Sequence, residues 1–127
     1  MRTWEKLASL TSVSVIVGGA AYTYNREHLS RMDLNPLFQE INREYFAGDL
    51  CGVRVEWASL DQDSGQARKL GDGEFLILVD RNENTSLAEV RRTLAHESCH
   101  IYVNWQEQEE HGPAFRECTK RFPQPTQ

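Results

Sequence analysis

The chain contains 127 residues, of which 39% are hydrophobic and 26% are charged, and its formal net charge is −5. This length and composition predict one globular domain with one modest core. The acidic balance argues against the broad basic surface of a strong nucleic-acid-binding protein. A local basic patch at Arg116, Lys120 and Arg121 is interpreted as a solvated helix face near a C-terminal end.

The N-terminal segment, residues 1–31, contains an uncharged stretch at residues 7–24 with basic residues on both sides. Several hydroxyl-bearing residues make this stretch marginal as a membrane-spanning helix. It also fits a signal peptide with small residues at positions 19–21 for cleavage. We therefore expect membrane association through residues 7–24, or export. A helix packed on a cytoplasmic domain is the alternative.

Residues 32–122 are predicted to form the domain, and residues 123–127 a short tail. Residues 37–46 place Leu, Phe, Ile and Tyr at helical spacing. Asn35 is expected to cap this helix, Pro36 to occupy its first position, and Gly48 to end it.

Three stretches after this helix have the character of strands. Residues 53–57 alternate apolar and charged side chains, residues 66–70 are interpreted as a second strand, and residues 75–79 are apolar enough to be buried. The Gly-Asp-Gly sequence at 71–73 indicates a hairpin between the last two. Helices on either side of about three strands predict an α+β domain with a small antiparallel or mixed sheet.

The most informative stretch is the H-E-x-x-H sequence formed by His96, Glu97 and His100. Residues four apart lie on one face of a helix, so the two imidazoles can bind one Zn²⁺ and Glu97 can act as a base towards water. Ser86 and Glu89 fit a capping box that begins this helix. Apolar residues then recur at spacings of three, four and seven, as on the core-facing side of a helix; they are Leu87, Val90, Leu94 and Ile101.

A third metal ligand is required, because two imidazoles alone rarely hold Zn²⁺ at a catalytic site. His111 is favoured by its position: Gly112 and Pro113 follow it and open a final helix that we expect to extend to Phe122. The rival ligands are three carboxylates in the preceding polar linker, Glu107, Glu109 and Glu110.

The three cysteines, Cys51, Cys99 and Cys118, do not indicate a disulfide framework. Cys99 is expected to be a free, buried thiol. A disulfide between Cys51 and Cys118 is conceivable in an exported protein. Alternatively, Cys99 or Cys118 supplies a fourth ligand that closes a structural zinc site.

Residues 37–122 resemble the SprT-like family of zinc metallopeptidases, which includes the Spartan proteases. Three stretches carry the resemblance: residues 37–46, the sequence TLAHESCH at 93–100, and HGPAF at 111–115. The resemblance implies a zincin-like core in which His96, His100 and His111 bind Zn²⁺. It also implies that residues 75–79 present a strand edge to an extended protein or peptide substrate.

The function predicted from these observations is zinc-dependent hydrolysis of peptide bonds, with Glu97 as the general base. Tyr45, Tyr102 and Arg116 are candidates for stabilising the oxyanion. A zinc-binding scaffold domain with little turnover is one alternative. A DNA-linked protease of the Spartan type is another, although many family members carry a zinc ribbon or DNA-binding segments after this core, and none is present up to Gln127. The oligomeric state is left open.

Overall fold

The computed structural model describes residues 5–6, 9–10, 14–17, 20–23, 26–104 and 110–123. In the N-terminal segment, β1 (Glu5–Lys6) pairs antiparallel with β2 (Ser9–Leu10), and β3 (Ser14–Val17) pairs antiparallel with β4 (Ala20–Thr23). The prediction of a spanning helix is therefore wrong for the described part of residues 7–24, which forms extended strands. Within the described ranges, no helix is both long and apolar enough to cross a membrane. Signal cleavage stays a prediction.

The remaining elements confirm an α+β domain with a three-stranded mixed sheet. In chain order they are α1 (Arg26–Leu29), α2 (Asn35–Phe46), β5 (Val53–Ala58), β6 (Gly65–Gly71), β7 (Glu74–Asp80), α3 (Leu87–Val103) and α4 (Pro113–Thr119). All three predicted strands are present, and the last helix is shorter than predicted because it ends at Thr119.

The order of strands in this sheet is β5–β7–β6. β7 runs parallel to β5 and antiparallel to β6, so that Ile77 lies opposite Val55 on one side and Ala67 on the other. Both edges of β7 are covered, and the prediction that residues 75–79 offer an edge to substrate is wrong. The physical reason is the nearly continuous apolar run of this strand, which is buried best at the centre of a sheet.

The core lies between the sheet and the two long helices. Phe38 and Ile41 from α2 meet Ile77 and Val79 from β7 in the same buried cluster as Leu94 from α3. Each of these side chains is at most 1% exposed. Of the predicted stripe on α3, Val90, Leu94 and Ile101 are buried and Leu87 is partly buried.

The two asparagines of α2 each pair with a backbone segment at two points. Asn35 accepts from Val55 N–H at 2.9 Å and donates to Val55 O at 3.0 Å. Asn42 pairs in the same way with Leu50, at 3.1 and 2.9 Å. Leu34 is the N-cap of α2, without a side-chain cap. The prediction that Asn35 caps the helix is thus wrong, because its amide is used to cover the outer edge of β5.

The loop between β7 and α3 is built on Asp80, which is 1% exposed. Its carboxylate accepts from the backbone N–H of Asn82 and Glu83 at 3.0 and 2.9 Å, and from that of Leu60 at 2.6 Å. A carboxylate that satisfies three backbone donors fixes a turn. The start of α3 is thereby held close to the end of β7.

Helix α3 begins as predicted. The Ser86 side chain accepts from Glu89 N–H at 3.2 Å, while the Glu89 carboxylate accepts from Thr85 N–H at 2.8 Å. These bonds satisfy amides that have no partner within the helix, and Glu89 lies favourably near the positive end of the helix dipole. The capping therefore sets the register that brings His96, Glu97 and His100 to the sheet.

Candidate metal centre

Three imidazoles from two elements converge beside β6. His96 and His100 lie one turn apart on α3, and His111 lies two residues before the start of α4. One nitrogen from each lies within 4.8 Å of the others, so the group could hold a metal ion. The Nε2 atoms of His96 and His111 are 3.2 Å apart. Two imidazole nitrogens bound tetrahedrally to one Zn²⁺ would be separated by about 3.3 Å, so the donors fit such an ion.

Phe115 forms the floor beneath the three histidines. It is 3% exposed, and its ring centroid lies 4.9, 4.4 and 4.7 Å from those of His96, His100 and His111. An aromatic ring in contact with all three imidazoles restricts their rotation and excludes water from below. Phe115 thus packs inward, as a member of the buried core cluster.

A disulfide between Cys99 and Cys118 ties α3 to α4, with 5.8 Å between the two Cα atoms. The predictions of a free Cys99 and of a Cys51–Cys118 bridge are both wrong, since Cys51 is exposed and free. Sequence spacing could not reveal this pairing, because it depends on how α4 folds back along α3. The disulfide also removes both sulfurs from the set of metal ligands.

The backbone around His111 is held by its own helix. Arg116 donates to the His111 carbonyl at 2.7 Å, across the first turn of α4. This bond and the disulfide fix both ends of α4, so the loop residue His111 is positioned by elements that are themselves anchored. Arg116 has a positioning contact that the sequence analysis missed; its spacing of five residues from His111 was the available signal.

Glu97 is buried, 6% exposed, between the histidines and β6. Its Oε2 lies 4.0 Å from His96 Nε2. Burial raises the pKa of Glu97 to about 7, the carboxylates of Asp63 and Glu110 add to the rise, and hydrogen bonding by the Ala67 amide opposes it. A carboxyl group of this pKa can exchange a proton with water near neutral pH.

The imidazoles on α3 are kept neutral. Burial, together with the other two histidines, lowers the pKa of His96 to about 4, and burial and His111 lower the pKa of His100. Metal ions bind the neutral form of imidazole. His96 and His100 can therefore bind a metal near neutral pH without first losing a proton.

A cavity of about 680 Å³ opens over this group. Its walls come from β6, α3 and the residues before α4, and include Gly65, Gln66, Ala67, Arg92, Thr93 and Glu110. None of the three residues predicted to stabilise an oxyanion lines it. Tyr102 instead accepts from Arg121 at 2.8 Å, and Arg116 is bonded to His111.

Of the three carboxylates that were rival ligands, the structure describes Glu110 alone. Glu110 lines the cavity, but among the described residues the group that could hold a metal ion contains His111 and not Glu110. Glu107 and Glu109 lie outside the described residues.

The cations of the local basic patch have intramolecular partners. Lys120 pairs with Glu117 at 3.3 Å, and Arg121 donates to Tyr45 O at 2.9 Å. Arg116 is bonded to His111. These contacts agree with the interpretation of the patch as a helix face that is part of the fold.

No curated protein matches the sequence. Residues 34–126, which include the sheet, α3 and the three histidines, match the sequence model of the SprT-like family. The chain therefore belongs to the SprT-like family.

Proposed function

We propose that the protein is a zinc-dependent peptidase with a zincin-like active site. The observation that carries this proposal is the convergence of His96, His100 and His111 within 4.8 Å, with the Glu97 carboxylate beside them. Three histidine ligands with a neighbouring glutamate base are typical of catalytic zinc sites, which keep one coordination position open. Family membership supports a metallopeptidase-related role.

In the proposed reaction, His96, His100 and His111 would hold zinc. Bound there, zinc would polarise a peptide carbonyl and lower the pKa of a water molecule at the site. Glu97 accepts the proton of the attacking water and passes it to the leaving amine. The Phe115 ring keeps the imidazoles in place and dry on their buried side during this transfer.

An extended substrate is proposed to lie along β6. This strand has one strand neighbour, β7, among the described residues, and its Gly65, Gln66 and Ala67 line the cavity. Ser64 O accepts from Asp80 N–H, so in the alternating antiparallel ladder the backbone N–H and C=O groups of the next residue, Gly65, point away from β7 and towards the cleft. Main-chain pairing at such an edge gives affinity with loose sequence preference.

The scaffold alternative loses support because it required a fourth protein ligand. Cys99 and Cys118 were the sulfur candidates, and they are bonded to each other. The DNA-linked alternative rests on family resemblance alone, and the basic residues that would favour it are paired within the domain.

Export is the localisation that we propose. The Cys99–Cys118 disulfide favours an oxidising compartment, where such bonds persist. Fractionation of tagged protein, with thiol labelling, tests this point. Export predicts one reactive thiol, Cys51, in material outside the cytosol; unprocessed cytosolic chain with three reactive thiols would contradict it.

The function itself is tested by incubating a mixed protein pool with zinc-loaded wild type and Glu97→Gln, with and without a chelator. Glu97→Gln should keep stoichiometric zinc and lose at least about 10²-fold in turnover, because the substitution removes the base but leaves all three metal ligands. Glu110→Gln, a carboxylate in the same cavity, is the control and should keep most activity. Loss of zinc in Glu97→Gln, or activity that resists the chelator, would contradict the proposal.

A further inference from the structure

β6 and α3 lie close together at Gly65. A Cβ atom placed on Gly65 would lie 2.4 Å from Thr93 Cγ2, and 3.2 and 3.3 Å from Glu97 Cγ and Oε2. Among the glycines that the structure describes, those with positive φ are Gly48, Gly52 and Gly73, so Gly65 has a backbone conformation that other residues adopt. Glycine is therefore required here for space and not for conformation.

The side chain of Thr93 cannot easily move aside. Its hydroxyl donates to Asn84 Oδ1 at 2.6 Å, and Thr93 is 6% exposed. Asn84 is in turn fixed, because its amide donates to Ser64 O and Asp80 O, both at 2.9 Å. Rotation of Thr93 that carried its methyl group away from β6 would break a buried hydrogen bond. The gap between α3 and β6 at Gly65 is thus set by a buried polar network.

The same gap contains the side chain of Glu97. The stem of Glu97 passes the Gly65 Cα, and its carboxylate lies 4.0 Å from His96 Nε2. The amide of Ala67, two residues further along β6, hydrogen-bonds the same carboxylate. β6 therefore contacts the base at two successive residues that face the cleft.

We propose that Gly65 is a positioning residue: its missing Cβ provides the space in which Glu97 is held against β6 and directed at the metal centre. This inference rests on the proposed peptidase function. A methyl group at position 65 crowds Thr93 and the Glu97 side chain, and no histidine atom is among the three atoms nearest to it. Glu97 must then shift by a few tenths of an ångström, and the proton transfer slows because its rate depends on how precisely the catalytic group is placed.

Gly65→Ala is compared with Gly71→Ala in zinc-loaded protein. Gly71 lies on the same strand, and its added Cβ would meet no atom within 4 Å. Gly65→Ala should lower kcat by about 10-fold with KM within about threefold of wild type and with full zinc stoichiometry. Gly71→Ala should keep the wild-type kcat. Wild-type kcat in Gly65→Ala, or an equal loss in both variants, would overturn the proposal.

A purely structural role predicts a different result in a second variant. Thr93→Ser removes the methyl group that lies 2.4 Å from the added Cβ and keeps the hydroxyl that bonds Asn84. Gly65→Ala/Thr93→Ser should recover the melting temperature lost in Gly65→Ala, while kcat stays low because the contact with Glu97 remains. Recovery of both kcat and melting temperature would overturn the positioning role.

A measurement without turnover separates this proposal from the proposed function. In metal-free wild type and Gly71→Ala, NMR should show a nuclear Overhauser effect between Gly65 Hα and Glu97 Hγ. Absence of this signal in wild type would overturn the contact itself. Its presence in a protein without chelator-sensitive peptidase activity would overturn the function, and the positioning role with it.

Discussion

The two outer edges of the three-stranded sheet, on β5 and β6, have different neighbours. On β5, the side-chain amide of Asn35 bonds both Val55 N–H and Val55 O, as a neighbouring strand would. On β6, Gly65 and Ala67 lie against Glu97 and line the cavity. Unpaired strand edges are normally covered or blunted. One edge is closed by a structural asparagine, and the other is used for the candidate site.

This difference predicts that changes on the two sides have separate consequences. Changes beside β5 should lower the free energy of unfolding and leave metal binding intact. Changes on the side of α3 and α4 should affect the metal centre as well.

The largest effect is expected from loss of the Cys99–Cys118 disulfide. Cys99→Ser/Cys118→Ser should lower the free energy of unfolding by about 3 kcal/mol, because a loop of this length is no longer closed in the unfolded chain. Zinc affinity should also fall, by about 10-fold, since α4 no longer fixes His111. Denaturant unfolding and metal titration measure the two effects, with Cys51→Ser as control. Unchanged zinc affinity would show that the docking of α4 against α3 does not position His111.

A somewhat smaller effect is expected from pH in metal-free protein. The pKa of Glu97 is raised from 4.5 to about 7, so the folded state binds this proton more tightly than the unfolded chain. The stability from Glu97 is fully present below pH 4.5 and is lost as pH rises through about 7. From pH 5 to pH 8 wild type should lose about 2 kcal/mol relative to Glu97→Gln.

The lowered pKa values of His96 and His100 act in the opposite sense, because the unfolded chain binds their protons more tightly below pH 6.5. These histidines are present in both proteins. The difference between wild type and Glu97→Gln therefore isolates the glutamate. A difference that does not change with pH would show that Glu97 titrates like an exposed carboxylate.

The smallest effect is expected at the β5 edge. Asn35→Ala should lower the free energy of unfolding by about 1 kcal/mol, since Val55 loses both bonding partners but water can replace them in part. Zinc affinity and turnover should stay at wild-type values, as measured by the same titrations and assays. A loss of metal binding in Asn35→Ala would break the distinction between the two edges.

Local signals in the sequence were sufficient to predict α2, α3, the three strands of the mixed sheet and the grouping of the three histidines. Helical periodicity and capping signals are local, so α2 and α3 lie where they were predicted, with Ser86 as N-cap. His96 and His100 were recognised because their spacing of four residues places them on one face of a helix. His111 was recognised because a Gly-Pro turn follows it, and the structure brings all three together.

Several features that sequence reasoning missed depend on contacts between distant segments. The insertion of β7 between β5 and β6 is decided by long-range pairing, and the pairing of Cys99 with Cys118 by how α4 docks. Asn35 is of a residue type that commonly caps helices, but its side chain hydrogen-bonds a strand residue 20 positions away. No local sequence pattern marks Gly65, because it matters through the Cβ atom that it lacks beside Glu97.

The measurement that tests the central claim most directly is the zinc affinity of His111→Ala, by competition with a chromophoric chelator. The matched controls are Glu109→Ala and Glu110→Ala, which remove neighbouring carboxylates that could serve as ligands. His111→Ala should bind zinc at least about 10-fold more weakly and lose turnover, and both controls should bind as wild type. Full zinc binding by His111→Ala, with loss in either glutamate variant, would contradict the assignment of the metal centre.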